Sequence, residues 1–454
     1  MATSDGFSGA ATPFEGSRRH DHRLVSRRSV LVGGAALLAG AGLMRPARAL
    51  AAGTTGGLGG SEPFGLSPAQ QVGQRVIWSY PGLTPPPALF DAIRAGLVGG
   101  VIFFGENISR LNYPGQIQAV TSALAQAQAD SGVGYPLLLM TDQEGGIVQR
   151  LPGLPGITER NIGRSADPVG TATTAGTGAA ENLNTAGMNC NLAPVLDVFR
   201  VAGNFDDQFG RSYSMDPVVC GECGAASITA QQNLGVVTTA KHFPGLGVAT
   251  RAQNTDLGPV VIDVPLSELR SVDELPFTNA INANVDMVMT SWATYPALDA
   301  NLPSGLSPRI VRGELRGRLK FQGVTITDAI EAGALQSFGD TGQRSVAAAA
   351  AGMDIILCSE RVVSQGQDAV DALQAAVADG QLDRARASRR WAASSRCAAR
   401  SAEARERPCA VSGATSELVA PDSPVARTYR ATTRLDLADC EPDPALFLAW
   451  TVNR

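Results

Sequence analysis

The sequence predicts an α/β fold, a TIM-type (β/α)8 barrel followed by a poorly specified C-terminal segment. About eight apolar, β-branched runs recur along the chain, Ala-rich segments with helical spacing separate them, and polar residues follow several runs. Continuous apolar runs are typical of parallel strands covered on both faces, and eight β/α units in about 300 residues suit a closed barrel. A doubly wound sheet is the alternative, but its GxGxxG phosphate turn is absent from the sequence.

The candidate strands lie between residues 74 and 359. In chain order they read QRVIWSYPG, GGVIFFGEN, PLLLMTDQEGG, MNCNLAPVLDV, VVTTAKHFPG, VDMVMTSWATYP, GVTITDAI and MDIILCS. The segments between them can supply crossover helices, for example at residues 114–130, 217–234 and 308–319. We therefore expect the barrel to occupy residues 66–385.

The N-terminal 49 residues have the features of an export signal. The paired Arg27 and Arg28 precede an apolar run, and the tripeptide ARA ends at Ala49, a pattern that predicts a twin-arginine-type signal peptide exporting folded protein. An uncleaved anchor is the alternative, but the run is short for a membrane span of about 20 residues. A Gly-rich linker follows at residues 50–65. We expect an extracellular, cell-wall or periplasmic protein without stable membrane insertion after cleavage.

Charge and cysteine content narrow the range of functions. Residues 1–49 hold seven of the 37 Lys/Arg and three of the 42 Asp/Glu residues, so the remainder has a formal net charge of −9. This balance disfavours a nucleic-acid partner. Cys220 and Cys223 form a CxxC without a second pair, which makes a zinc site improbable and leaves a local disulfide open. We expect no cofactor, no metal and a monomer.

Polar side chains stand at or just after the ends of the apolar runs. The C-terminal ends of barrel strands converge on one face, where active sites of this fold are built. Any single residue could instead cap a helix or line the rim of the core. The strand-end residues are Asp142, Glu144, Asp197, Lys241, His242 and Asp328.

These residue types suit the cleavage of a sugar. Asp328 follows an apolar strand and precedes small residues, a rigid setting that suits a nucleophile. Asp142 can accept hydrogen bonds from sugar hydroxyls, and Arg150, beyond a Gly-Gly turn, can donate with fork geometry. Arg211 lies in a glycine-containing loop, where a loop salt bridge is the alternative. A Ser-His-Asp hydrolase around His242 is disfavoured because the sequence has no GxSxG elbow.

Six motifs between residues 71 and 359 together resemble glycoside hydrolase family 3. They are DQEGGIVQRL, NLAPVLDV, FGRSYS, KHFPGLG, ITDAI and AAAAGMDIIL, and the likeness is to an exported, actinobacterial type of the single-domain β-N-acetylglucosaminidase branch. The resemblance implies a retaining hydrolase acting on GlcNAc-containing glycans, such as peptidoglycan fragments, through a covalent glycosyl-enzyme on Asp328. It implies two catalytic groups within about 5–5.5 Å when the loop is closed. The implied sugar-binding residues are Asp142, Arg150, Arg211, Lys241 and His242.

One loop departs from the family pattern. The best-known members read KHFPGHG and then carry an Asp-Ser-His whose histidine is the acid/base. Here Leu246 replaces the first of these histidines, and the residues at 254–256 are Asn-Thr-Asp. Either Asp256 is the acid/base, with a pKa raised by burial, or the loop has lost this role and Asp256 is a turn residue. A β-glucosidase, a phosphorolytic enzyme and an impaired carbohydrate-binding cell-wall protein therefore stay open.

The C-terminal segment, residues 386–454, has no clear place in this barrel. The stretch RARASRRWAASSRCAARSAEARERPCAV, which begins at residue 384 and continues into this segment, has eight arginines and lacks a helical apolar stripe. Family members of this length usually close the barrel with a helix that ends in an apolar, lysine-containing pattern, which this segment matches poorly. We interpret it as a tail or a small appendage.

Overall fold

A computed structural model describes residues 65–383 of the protein. The predicted signal peptide, nearly all of the predicted linker and the C-terminal segment lie outside these residues. Eight parallel strands form a closed barrel, which confirms the predicted fold. They are β1 (Val76–Trp78), β2 (Gly100–Phe103), β3 (Leu138–Thr141), β4 (Cys190–Asn191), β5 (Val237–Phe243), β6 (Met287–Thr290), β7 (Val324–Ala329) and β8 (Ile355–Leu357).

Each barrel strand pairs in parallel with its neighbours in the sequence, and β1 closes the barrel against β8. Val76 lies opposite Ile356 and Ile77 opposite Leu357 at this closure. Each of the eight predicted runs contains one of the strands. Because all strands run the same way, their C-terminal ends share one mouth of the barrel.

Helices connect the strands on the outside of the barrel. The three predicted crossovers are helical, with bounds within one residue of the prediction at each end. The crossover between β6 and β7 is wound as a π-helix. The main outer helices are Pro87–Arg94, Gly115–Asp130, Pro168–Thr185, Pro217–Asn233, Leu275–Asn282, Arg309–Arg318, Thr341–Ala351 and Val363–Ala378.

Shorter elements lie in the connections. Two antiparallel hairpins leave the mouth of the barrel, Gln143–Gly145 with Val148–Gln149 after β3, and Thr294–Tyr295 with Asp299–Pro303 after β6. The short helical turns are Pro68–Gly73, Gly105–Asn107, Arg110–Asn112, Glu159–Gly163, Asp207–Phe209, Leu266–Glu268, Leu269–Asp273, Ser304–Leu306 and Gly333–Phe338. The hairpin after β3 and the turn after β7 both contribute to the site described below.

Two of the crossover helices begin at an Asp-Pro pair. The Asp167 carboxylate accepts a hydrogen bond from the backbone N of Gly170 at 3.0 Å, and Asp216 accepts one from Val218 N at 2.9 Å. The following prolines occupy the first helical turn, where no backbone N–H is needed. Each such cap contributes about 1 kcal/mol and fixes where its helix begins.

The barrel interior is filled by side chains that alternate along the strands. The strand residues that alternate with the interior ones, such as Trp78 and Phe103, point outwards and pack beneath the helices. The interior is therefore a packed core, and polar strand-end residues can meet only at its mouth. The buried interior residues are Ile77, Ile102, Leu138, Met140, Cys190, Leu192, Val237, Met287, Met289, Val324, Ile326, Ile355 and Leu357.

The cysteines among residues 65–383 are unbridged. Cys220 and Cys223 lie on the helix Pro217–Asn233 as buried thiols, so the local disulfide that the sequence left open is not formed. Burial raises the pKa of both thiols, which favours the protonated, unreactive form. In this part of the chain no helix has the length and apolar character needed to cross a membrane.

Candidate active site

Asp142 and Arg150 are brought together by the hairpin after β3. Gly145 and Gly146 adopt φ values of 116° and 60°, and a Cβ at Gly145 would lie 2.1 Å from the carbonyl oxygen of Ile157. Only glycine fits this turn, which explains the Gly-Gly pair in the sequence. The returning strand places Arg150 Nη2 3.5 Å from Asp142 Oδ2.

Lys241, near the end of β5, lies between two carboxylates. Its Nζ is 2.8 Å from Asp142 Oδ1 and 2.7 Å from Glu144 Oε1. Burial favours the neutral amine, but these carboxylates outweigh it and raise the pKa of Lys241. Burial likewise opposes ionisation of Asp142, yet Lys241 and Arg150 lower its pKa below the usual range. The group therefore stays charged, with oxygen and nitrogen atoms fixed for a polar ligand.

Arg211 supports this group from the loop after β4. Its Nε and Nη2 donate to the two oxygens of Glu144 at 2.8 and 2.9 Å, and its Nη1 lies 3.5 Å from Asp206 Oδ1. The preceding Gly210 has a φ of 68°, which turns the chain into this position. The loop salt bridge considered from the sequence is thus present, and it lies within the site because Glu144 also contacts Lys241.

His242 is held by Asp197, a residue in the segment after β4. His242 Nδ1 lies 2.6 Å from Asp197 Oδ2, while Asp197 Oδ1 accepts the backbone N–H groups of His242 at 3.3 Å and Leu246 at 2.6 Å. Burial opposes the charged ring, but Asp197 raises the pKa of His242. With Nδ1 held by Asp197, Nε2 is the ring nitrogen left for a ligand, and it donates when the ring is protonated. Leu246 is buried in an apolar cluster.

Asp328 and Asp256 approach the mouth from different elements. Asp328 lies at the C-terminal end of β7, and its Oδ1 accepts a hydrogen bond from Ala329 N at 2.8 Å. Asp256 lies in the loop after β5 and is exposed to solvent. Partial burial by the surrounding loops and the negative charge of Asp328 raise the pKa of Asp256 to about 6, while Arg211 and His242 oppose the shift. The two carboxyls therefore share one electrostatic environment.

Two buried carboxyls beneath the site were not assigned a role from the sequence. Burial and the charge of Asp197 raise the pKa of Asp206 to about 7. Glu159 Oε1 accepts the backbone N–H of Val195 at 3.1 Å, and burial followed by the nearby Glu144 raises its pKa well above the usual value. The motif FDDQFGR held a signal for Asp206, since it precedes Arg211 closely, whereas Glu159 had none.

Glu331 is a further carboxyl that the sequence analysis missed. It follows β7 three residues after Asp328 and accepts hydrogen bonds from Ser359 Oγ at 2.6 Å and Gln365 Nε2 at 2.9 Å. Burial raises its pKa. These bonds tie the segment after β7 to the residues after β8, so Glu331 supports the site from outside the mouth.

The structure thus collects every sequence-predicted site residue at the mouth of the barrel. Asp142, Lys241 and Arg150 form one contact group, His242 lies beside Asp197, and the two remaining carboxyls share their electrostatic environment. Within residues 65–383 no group of three or more His, Cys, Asp or Glu side chains is arranged to hold a metal ion. Paired carboxyls next to fixed polar groups at a barrel mouth define the class of a glycoside-cleaving enzyme.

Known proteins resemble this chain in the same region. The family model "Glycosyl hydrolase family 3 N terminal domain" matches residues 81–392. A secreted glycosyl hydrolase of Arthroderma benhamiae, itself uncharacterized, is 48% identical over 69% of this chain and 88% of its own length. A beta-hexosaminidase of Stenotrophomonas maltophilia is 32% identical over 62% of this chain and 82% of its own length.

Solved structures show the same likeness. A glycoside hydrolase family 3 beta-N-acetylglucosaminidase from Paenibacillus superposes with a TM-score of 0.70 at 32% identity, over 79% of this chain and 66% of that chain. A beta-N-acetylhexosaminidase from Beutenbergia cavernae gives 0.63 at 33% identity, over 75% of this chain and 98% of that chain. The chain therefore spans nearly all of one solved relative and about two thirds of the other. It belongs to glycosyl hydrolase family 3 and is a glycoside hydrolase.

Proposed function

We propose that the protein is a retaining β-N-acetylhexosaminidase that removes terminal, non-reducing β-linked GlcNAc from peptidoglycan fragments or related glycans. The observations that carry this proposal are the position of Asp328 at the end of β7 and the pKa of Asp256, which burial and the charge of Asp328 raise to about 6. The names of the Stenotrophomonas and Paenibacillus relatives support the sugar preference.

In the first step Asp328 attacks the anomeric carbon. The bond from this carbon to the leaving oxygen breaks, and Asp256 donates its proton to that oxygen. In the second step Asp256 takes a proton from water, whose oxygen attacks the anomeric carbon and displaces Asp328. Two inversions give net retention, and Asp256 returns to its protonated form.

The sugar is held by the remaining residues of the site. Asp142 and Lys241 are mutually paired and ionised, so each can exchange part of its ion pair for a hydroxyl group without a change in protonation. His242, fixed by Asp197, donates through Nε2. Arg150 and Arg211 line the group from two loops, Arg211 chiefly through its bidentate hold on Glu144.

Replacement of Asp328 by Asn tests the nucleophile. We expect hydrolysis of an aryl β-GlcNAc to fall by several orders of magnitude, because the amide cannot form the covalent intermediate. Wild-type enzyme quenched during turnover should carry the mass of one GlcNAc on the peptide containing Asp328. A variant that hydrolyses the substrate at the wild-type rate would exclude Asp328 as the nucleophile.

The same assay separates the other candidate activities. Matched aryl glucoside and aryl GlcNAc substrates, each with and without phosphate, distinguish hexosaminidase, β-glucosidase and phosphorolytic behaviour. A natural GlcNAc disaccharide has a poor leaving group and depends on the acid, whose contribution is about 10²–10⁴-fold. Turnover of the aryl substrate alone would indicate an impaired, carbohydrate-binding protein, whereas efficient turnover of both supports the hydrolase.

Export is part of the proposal. The sequence-predicted signal lies outside the described residues, and the Arthroderma relative, named as secreted, supports the same location. An extracellular or cell-wall location would give the enzyme access to peptidoglycan fragments. We propose a monomer that binds its glycan directly.

A further inference from the structure

The loop that carries Asp256 is joined to the segment after β7 by two backbone hydrogen bonds. Gly333 N donates to the carbonyl oxygen of Asp256, and Ala334 N donates to that of Thr255, both at 2.9 Å. Thr255 is 4% exposed, so this contact is buried on one side. The loop position next to Asp328 is therefore fixed by main-chain atoms.

Gly333 is the point of closest approach in this contact. A Cβ placed there would lie 2.6 Å from the carbonyl carbon and oxygen of Leu257 and 2.7 Å from the carbonyl oxygen of Asp256. These are backbone atoms, which cannot rotate away as a flexible side chain can. The backbone of Gly333 is not in the left-handed region. Glycine is thus required here by the close contact and not by its conformation.

Other contacts of the loop set its shape but not its distance from β7. Asn254 Oδ1 accepts the backbone N–H of Asp256 at 2.8 Å, and Asn254 O accepts that of Leu257 at 3.1 Å, which forms the turn. The ends of the loop are anchored elsewhere, for example by Thr294 N to Val260 O at 2.9 Å. The hydrogen bonds from Gly333 and Ala334 join the Asp256 segment to the turn that follows the strand of the nucleophile.

We propose that Gly333 is a positioning residue that seats the Asp256 loop against β7 and so sets the separation between Asp256 and Asp328. Its turn, Gly333–Phe338, begins four residues after Ala329, the last residue of β7. One short segment therefore carries both the nucleophile and the seat of the proton donor. This inference rests on the proposed role of Asp256.

Gly333→Ala tests whether Gly333 positions the Asp256 loop, with Gly258→Ala as the matched control. Gly258 lies just beyond the same turn, and a Cβ there would meet nothing within 4 Å. A misplacement of about 1 Å can cost about 10²-fold, and we expect a loss of this size in kcat/KM for Gly333→Ala on a GlcNAc disaccharide. An aryl β-GlcNAc with a good leaving group should be affected much less, because it needs little protonation. Gly258→Ala should match wild type on both.

Combination with Asp256→Asn shows whether Gly333 acts through Asp256. If it does, Gly333→Ala should add little to the loss already caused by Asp256→Asn. Two outcomes would contradict the positioning role of Gly333 without affecting the acid/base assignment of Asp256. One is a Gly333→Ala effect that is equally large in the Asp256→Asn variant, and the other is wild-type activity of Gly333→Ala when Asp256→Asn is slow. A wild-type rate for Asp256→Asn would instead remove the acid/base assignment, and with it the role of Gly333.

Amide hydrogen exchange of the wild-type enzyme gives a test that needs no folded variant. The N–H groups of Gly333 and Ala334 should be protected from exchange, because both donate to the loop. Exchange as fast as that of exposed loop amides would mean that these hydrogen bonds are not formed in solution, and would overturn the proposal.

Thermal unfolding of Gly333→Ala and Gly258→Ala confirms that both variants are folded before their rates are compared.

Discussion

At the scale of single residues, the charge state of Asp256 sets the pH range of the proposed mechanism. Its carboxyl must be protonated when the leaving group departs, and partial burial together with Asp328 raises its pKa to about 6. The protonated fraction falls as the pH rises through this value. We predict that kcat/KM for a GlcNAc disaccharide decreases above roughly pH 6, by about tenfold per pH unit.

The variant Asp256→Asn provides the control for this pH dependence. It should lower kcat/KM and also remove the decrease on the alkaline side, because the amide does not titrate. The measurement is kcat/KM of wild type and variant between about pH 4 and 9, a range that spans the raised pKa of Asp256. A decrease that persists unchanged in the variant would assign it to a different group.

The ion pairs of the proposed sugar site are expected to affect stability as well as binding. The side chain of Glu144 is 1% exposed and contacts both Arg211 and Lys241. Removal of one partner from such a buried group costs up to about 3–5 kcal/mol, since the remaining Lys241 is shared with Asp142 and compensates the buried carboxylates only in part. Arg211 therefore has a structural role beside its place in the site, which the family resemblance alone does not indicate.

At the scale of elements, alanine substitutions at two helical glycines are predicted to change the free energy of unfolding in opposite directions. Gly366, in Val363–Ala378, faces β1, and a Cβ there would lie 2.3 Å from Cδ2 of the buried Trp78. Gly366→Ala should therefore overpack this contact and lower the free energy of unfolding by about 1–3 kcal/mol. In Arg309–Arg318, Gly313 is exposed with nothing within 4 Å of its Cβ position, so Gly313→Ala should stabilise by about 0.5–1 kcal/mol.

Urea unfolding of the two variants and wild type checks this pair. The urea midpoints of the two variants should move in opposite directions from that of wild type, while the slope of the free energy of unfolding against urea concentration stays unchanged. A stabilising Gly366→Ala would show that the helix Val363–Ala378 can shift away from β1, and would contradict the tight packing seen at Trp78.

Strands and crossovers were predictable because each is encoded locally. Apolar runs identified all eight strands, and helical spacing identified crossovers such as Pro217–Asn233 within one residue at each end. The π-helical winding of Arg309–Arg318 and the hairpin Thr294–Tyr295 with Asp299–Pro303 were not predicted. The apolar pattern that identified the strands and crossovers specifies neither the winding of a helix nor a short hairpin outside the barrel.

At the scale of the whole molecule, the barrel is proposed to be exported as a folded unit. The signal predicted at Arg27 and Arg28 is of the twin-arginine type and would imply this route, and the buried, unbridged thiols Cys220 and Cys223 suit folding before export. We predict that Arg27→Lys combined with Arg28→Lys retains the precursor in the cell, because the lysine ammonium does not reproduce the forked guanidinium.

The other arginine pair of the leader is the control for this prediction. Arg18→Lys with Arg19→Lys conserves the same charge away from the apolar run, and this variant should be exported as wild type. Immunoblots of cells and medium measure the distribution, and N-terminal sequencing of the exported protein should begin at Leu50. Normal export of the Arg27/Arg28 variant would refute the twin-arginine assignment.

The sequence by itself determined the barrel, the family and the mouth at which the site lies, because strand runs and strand-end motifs are local and occur in a fixed order. It also identified Asp256 as the candidate acid/base on the loop that departs from the family pattern. Only the tertiary structure decided that Arg211 holds Glu144, that Asp197 fixes His242 and that Gly333 receives the Asp256 loop. These contacts join residues 45 or more positions apart in the chain, and they form only when the barrel closes.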